Sequence, residues 1–403
     1  MRTFARSALT ISVAAALLTG CGASQPPIGA TGTMPQNRAP EARDDSANYK
    51  VLYNFRGRQD GWGPAASLID VNGKLYGTTA GGGSTCKSGC GTVFGITTGG
   101  IEKVLYRFRK DPDGAYPEAG LIEVKGTLYG TTWGGGKRLG TVFSLTTSGA
   151  ENVLHRFASP PDGALPPAPL IEVGGTLYGT TGKGGTYGGG TIFSVTTNGA
   201  ENVLHSFPGQ PDGALPAGPL INVGGTLYGT TGYGGDYGNG TIFTITTSGT
   251  EKVLYSFKFF GTDGVRPVAG LVDVGGTLYG TTSAGGTSNN GTVFSITTSG
   301  TEKVLYSFGS GTDGSDPEAG LTALSGALYG TTDSGGTSNN GTVFSITTNG
   351  RETVMHDFSG GSHDGAHPLA RLIDVGGVLY GTTDGGGSGC RPFGCGTVFA
   401  LSP

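Results

Sequence analysis

Charge, sulfur and indole are all scarce in this chain. Of 403 residues only 25 are Lys or Arg and 29 are Asp or Glu, about half the usual charge density. Basic runs are missing and the net charge is −4, which argues against a nucleic-acid partner, because displacing phosphate counterions needs concentrated Lys and Arg. There are two Trp, three Met, five His and five Cys. The apolar stretch at residues 8–18 is too short to span a bilayer comfortably. What is plentiful is glycine, at 81 residues or nearly three times ordinary usage. Long helices are thereby excluded, since each interior Gly costs about 1 kcal/mol relative to Ala. Collagen is excluded too, because the Gly recurs on a far longer period than three. The composition is that of an exported all-β chain.

The N-terminus has the pattern of an export address. Arg2 and Arg6 precede the apolar stretch, which ends at Leu18-Thr19-Gly20-Cys21. That tetrapeptide resembles the lipobox of bacterial lipoproteins, which implies cleavage after residue 20 and a lipid anchor on Cys21. Durable anchoring needs more than one acyl chain, and lipoprotein maturation supplies it. Residues 22–48 are Pro, Gly, Ala and polar residues with no apolar period, and are expected to form a disordered tether spanning about 30 Å. The expected organisation is a lipoprotein signal peptide at 1–20, the lipidated Cys and tether at 21–48, and one folded domain at 49–403. The location implied is the bacterial cell envelope, periplasm or cell surface.

From residue 49 onward the chain repeats. Tyr76, Tyr129, Tyr178, Tyr228, Tyr279, Tyr329 and Tyr380 each sit in "LYGTT", at spacings of 53, 49, 50, 51, 50 and 51. Each copy holds four short β-rich segments bounded by Gly turns; in the fifth they are residues 271–274, 277–282, 291–298 and 302–308. The first pair and the last pair are joined by two-residue links ending in Gly, such as Gly275-Gly276 and Ser299-Gly300, which suit type I′ hairpins. Apolar residues fall on both parities, so each four-stranded sheet needs cover on both faces. Radial packing meets that need, and predicts a seven-bladed β-propeller with about 50 residues per blade, the spacing of kelch-like blades. The chain ends on a third segment, "GTVFALSP", and begins its repeats on a fourth, "YKVLYNF". Pairing these two would close the ring in a 3+1 arrangement and leave neither as an orphan edge.

These segments, "LYGTT", "GTVFSITT" and "EKVLYSF", resemble the Gloeo/Verruco (GloVer) tandem-repeat family, whose "choice-of-anchor" members share the repeat and differ in their surface anchor. The resemblance covers residues 49–403 and implies a propeller but no catalytic motif. With no segment following Pro403 in this sequence, the anchor it implies is Cys21.

Most repeated residues are expected to be structural. Fourteen of 18 Phe occupy one position in the third segment or one in the fourth, as interblade packing requires. His155, His205 and His356 stand where other copies have Tyr, and are expected to fill space. The seven "DGxxP" Asp residues lack the spaced oxygen ligands of a calcium loop and fit Asx-turns. The acids of the first segment (Asp70, Glu123, Glu172, Asp273, Asp374) are expected to be solvated beside their hairpin, with an acidic ring round one channel mouth as the alternative. No metal or cofactor is expected. Two cysteine pairs, Cys86/Cys90 and Cys390/Cys395, are expected to form local disulfides in preference to a four-Cys zinc site.

Freedom is left in the long loops, which an up-and-down blade places on one face. Three residues after each linker Asp stand Gly63, Tyr116, Leu165, Leu215, Arg266, Asp316 and His367; the loops between second and third segments add Trp133, Tyr187, Tyr233 and Tyr237, and Trp62 lies on the first linker. The candidate binding set is Trp62, Tyr116, Trp133, Tyr187, Tyr233, Tyr237, Arg266, Asp316 and His367. The expected function is a monomeric, surface-tethered binding or scaffold module for protein or glycan. An enzyme acting on glycans or small molecules and a structural surface component are the alternatives. His363, Asp364 and His367 are too sparse a set to name a reaction, and no catalytic residue is assigned.

Overall fold

The computed structural model describes residues 48–403 except 84, 85, 87, 88, 110, 310 and 391; the expected signal peptide, Cys21 and the expected tether up to residue 47 lie outside the described residues. Among the described residues there is no helix, and the strands form seven four-stranded antiparallel sheets. The first blade contains Ile69–Val71, Lys74–Thr79, Thr92–Thr97 and Glu102–Arg107, hydrogen-bonded in that order. The first strands of the first, third, fourth, sixth and seventh blades, and the residues leading into those of the second and fifth, line one channel of about 720 Å³, so the first strands are innermost and the blades stand round a common axis. The seventh blade is built from Ile373–Val375, Val378–Thr383 and Thr397–Leu401, with Tyr49–Asn54 as its outer strand. Tyr49 pairs with Leu401 and Asn54 with Thr397, as the 3+1 expectation requires.

Side-chain packing between blades follows the repeated aromatic positions. The outer-strand Phe of each blade meets the third-strand Phe of the next edge-on, with centroids 5.0–5.4 Å apart in all seven pairs, from Phe55–Phe94 to Phe358–Phe399. These rings are fully buried, and each contributes roughly 1.5–3 kcal/mol by burial plus about 0.5–1.5 kcal/mol for the edge contact. The Gly of "LYGTT" makes room for this column: a Cβ on Gly280 would stand 2.6 Å from Phe294 Cζ and 2.9 Å from Leu271 Cδ2.

The two Thr of the motif have separate tasks. The second shares a buried hydroxyl pair with the first Thr of the third strand, as in Thr282–Thr292 at 2.8 Å. The first reaches across to a carbonyl of the next blade in six copies, for example Thr281 Oγ1 to Ala319 O at 3.0 Å. Thr180 is the seventh, and its hydroxyl is buried without a partner. Buried hydroxyls so satisfied stabilise by about 1 kcal/mol each, and fix one blade against the next.

Each linker Asp folds back on its own backbone, as the turn assignment anticipates: Asp263 accepts from the amides of Lys258 at 2.8 Å and Gly264 at 2.7 Å. It also takes a hydrogen bond from the fifth residue of the preceding outer strand, Tyr255 Oη at 2.8 Å. The three His also reach the linker Asp, for His155, His205 and His356 Nε2 lie 3.1, 2.9 and 3.3 Å from Asp162, Asp212 and Asp364. The inner-strand acids are exposed, and Glu123, Glu172, Asp273 and Asp374 accept the second amide of their own hairpin. Cys86–Cys90 and Cys390–Cys395 are disulfides.

Candidate recognition site

The linkers build the channel mouth. Three residues after each Asp the backbone turns left-handed, with φ of 57–59° at Tyr116, Leu165, Leu215, Arg266, Asp316 and His367 and 65° at Gly63. Six non-glycine residues in that region cost about 1 kcal/mol or more each, and persist only where surroundings hold them. Two backbone hydrogen bonds do so. Leu215 N–H donates to Gly189 O of the preceding blade's loop (2.8 Å), and Leu215 O accepts from Gly232 N of its own blade (3.0 Å); the pattern repeats round the ring. Two residues further on, Ala65, Glu118, Pro167, Ala217, Val268, Glu318 and Leu369 line the channel.

The side chains at this rim are sorted by chemistry. Leu165 and Leu215, with Gly182 and Gly232 as their hydrogen-bonding neighbours, make one arc apolar. The other arc, through Arg266, Asp316, His367 and round to Glu118, is charged, and is completed by Asp333 and Asp384 in the positions that follow "LYGTT". His367 Nδ1 lies 3.1 Å from Asp333 O and 3.2 Å from its carboxylate, which raises the imidazole's pKa. Burial, and then the charge of Asp333, raises the carboxyls of Asp316 and Asp384. In Asp316 Arg266 opposes the rise, and in Asp384 His367 does. Glu118 is raised by burial and by Asp384.

Beside this arc, where the last blade meets the first, is a cleft of about 600 Å³ lined by Trp62, Gly63, Asn340, His367, Asp384, Phe393 and the Cys390–Cys395 loop. Trp62 is 41% exposed and Phe393 84%. The Trp62 ring lies over Gly81, where an added Cβ would come within 2.1 Å of the indole, and Trp62 and Gly81 exchange both backbone hydrogen bonds at 3.1 Å.

Residues 41–181, 85–294 and 279–403 each match the Gloeobacter/Verrucomicrobia repeat. The chain belongs to this repeat family. No curated protein matches it. Among solved structures this Gloeobacter/Verrucomicrobia repeat protein is similar to a candidate 6-phosphogluconolactonase from Bacteroides uniformis, at 13% identity and a TM-score of 0.48, covering 73% of this chain and 84% of that one. It is also similar to a candidate gluconolactonase at 11% identity and a TM-score of 0.41, covering 90% of this chain and 96% of that one. Neither likeness carries chemistry to the repeat protein.

Of the candidate set, the fold brings Trp62 and His367 into the one cleft. Asp316 and Arg266 stand on the charged arc, and the Arg266 guanidinium lies 5.8 Å from the Tyr233 ring centre. Tyr116 is half-buried against the first blades' core, and Trp133 is an exposed neighbour whose amide donates to Tyr116 O. Tyr237 faces a different cleft, with Asp212 and Glu251, and Tyr187 lines neither the channel nor the mouth cleft. Asp333, Asp384, Glu118 and Phe393 were absent from the set. The residue after "LYGTT" reads Ala80, Trp133, Gly182, Gly232, Ser283, Asp333 and Asp384, and this variation among copies is the signal that points to two of them.

Proposed function

We propose that this protein is a recognition module, tethered to the bacterial envelope through Cys21, that takes a glycan in the cleft between its last and first blades. One observation carries the reading: two exposed aromatic rings, Trp62 and Phe393, share a concave site with Asp384 and His367. An aromatic face accepts the C–H side of a sugar ring while a carboxylate accepts hydrogen bonds from its hydroxyls. The cleft volume is that of a small-ligand site, whereas a stable protein interface would need about 800 Å² per partner. The tether rests on Leu18-Thr19-Gly20-Cys21 and the apolar run before it.

Saccharide-array binding of the purified protein tests this. Trp62→Ala and Asp384→Asn are each expected to weaken capture by roughly 10-fold or more, the loss of one desolvated anchor or charged hydrogen bond. Binding that both variants retain, or no saccharide captured at all, would overturn the reading. The pairing of His367 with Asp333 beside Asp384 also supports a second reading, hydrolysis of the bound saccharide. In that case turnover is measurable and is lost in His367→Ala while capture persists.

A further inference from the structure

The seven interblade seams offer a comparison inside one molecule. Four seams place a Tyr hydroxyl on the linker Asp, at 2.7–2.9 Å: Tyr53, Tyr106, Tyr255 and Tyr306. The Glu that opens the next outer strand closes the group, as where Tyr106 Oη also reaches Glu151 at 3.3 Å. The phenol is thus a proton donor set between two carboxylates. Replacing it with imidazole retracts the side chain and offers a nitrogen lone pair to the same space.

Two seams have that replacement with the Glu still in place. His155 Nε2 is 3.1 Å from Asp162 Oδ2, His205 Nε2 is 2.9 Å from Asp212 Oδ2, and Glu201 and Glu251 complete the two groups with all donor atoms within 4.8 Å of one another. Glu201 Oε1 and Glu251 Oε1 are buried and have no hydrogen-bond partner, as is also true of the matching oxygens of Glu102, Glu151, Glu302 and Glu352 in the Tyr seams, so it is the imidazole that sets these two seams apart. Asp212 and Glu251 open onto a cleft of about 650 Å³, so an ion has a path in and a water can reach its remaining position. The third His seam differs. Tyr49 stands in the Glu position, stacks on His356 with centroids 3.6 Å apart and donates its hydroxyl to Asp364 at 2.8 Å, so a third ligand is missing.

We propose that the His155–Asp162–Glu201 and His205–Asp212–Glu251 seams are two zinc sites, each supplying one imidazole nitrogen and two carboxylate oxygens. The proposal departs from the expectations that these His only fill space and that no metal is bound. One nitrogen and two oxygens with an open fourth position are a donor set that zinc accepts, at about 2.0–2.2 Å per bond and so roughly 3.3 Å between ligands. A dication also removes the cost of holding two carboxylates together in a partly buried seam. The outer seams lie away from the mouth cleft residues, so the proposal does not depend on the glycan reading.

Calorimetric titration of the metal-stripped, untagged protein with zinc chloride tests it, with cobalt(II) as an absorbing substitute. Two equivalents are expected at micromolar or tighter affinity. His155→Tyr and His205→Tyr, which recreate a seam this chain already builds four times, should each remove one equivalent. The double variant should bind none and lose the cobalt visible bands, with its metal-free melting unchanged. His356→Tyr should leave the stoichiometry at two. Where a Tyr variant folds poorly, the near-isosteric Glu201→Gln and Glu251→Gln should each weaken one site by at least 10-fold. Absence of micromolar zinc binding in the wild type, or two equivalents retained by the double His variant, would overturn the assignment.

Discussion

Phe55→Ala tests whether the first strand is a working part of the ring. Phe55 is fully buried, meets Phe94 of the first blade at 5.0 Å, and packs in one cluster with Leu68, Leu75, Ile96 and Val398. Truncating such a ring costs about 3–5 kcal/mol from lost transfer free energy and the cavity left behind. In a domain of this size that is a fall of about 4–7 °C in the thermal midpoint. Phe108 is the matched control: it is equally buried and meets Phe143 at 5.1 Å, but at a seam between blades that follow one another in sequence. Because the two environments repeat, Phe55→Ala and Phe108→Ala should destabilise by amounts within about 1 kcal/mol of each other. Urea unfolding followed by near-ultraviolet circular dichroism measures both. If Phe108→Ala loses several kcal/mol and Phe55→Ala less than about 1, the N-terminal strand does not close the ring and the reasoning fails.

Two further outcomes follow from the repeated contacts. Burial, and then the charge of the linker Asp, pushes the carboxyls of Glu302 and Glu352 up to about 7. A folded-state value above the unfolded one means that their stabilisation is full below pH 4.5 and is lost as the pH rises to about 7. Since these carboxyls keep partial solvation, about 1 kcal/mol each is expected between pH 4.5 and 8, and Glu302→Gln should flatten that decline. A urea midpoint that rises over this range, or a variant with the wild-type slope, would count against the buried-seam account. At Gly280, Ala would force its Cβ into Phe294 and Leu271, so a loss of about 1–3 kcal/mol is expected; a neutral Gly280→Ala would show that the Phe column is not tightly packed.

The "LYGTT" spacing and the split first and last segments were enough to read the ring and its closure, because each blade must hide two apolar faces. The Phe positions were legible for the same reason: an aromatic residue that recurs in every copy within a strand or directly after one is there to be buried. Other features were not legible. Five Gly-rich ladders of two residues, such as Gly163–Ala164 with Lys183–Gly184, tie the linkers to the long loops, yet Gly and Ala have no strand propensity to announce them. Nothing in Leu165 or Leu215 signals a left-handed backbone, which the two flanking hydrogen bonds impose. The seam glutamates look like ordinary exposed strand ends, because only the ring brings each beside the Asp of a neighbouring linker. Asp384 stands at a position whose variation among copies was a readable signal, whereas Phe393 escaped because it shares its cleft with Trp62 from the other end of the chain, a proximity that no local window contains.

The most direct test of the recognition cleft uses the scarcity of indole, since Trp62 and Trp133 are the chain's two tryptophans. In Trp133→Phe, Trp62 alone reports, and titration with the saccharides that the wild type captures should shift or quench its emission with the same half-saturation as capture. Emission that stays constant while saccharide binds would place the ligand elsewhere on the protein and contradict the account.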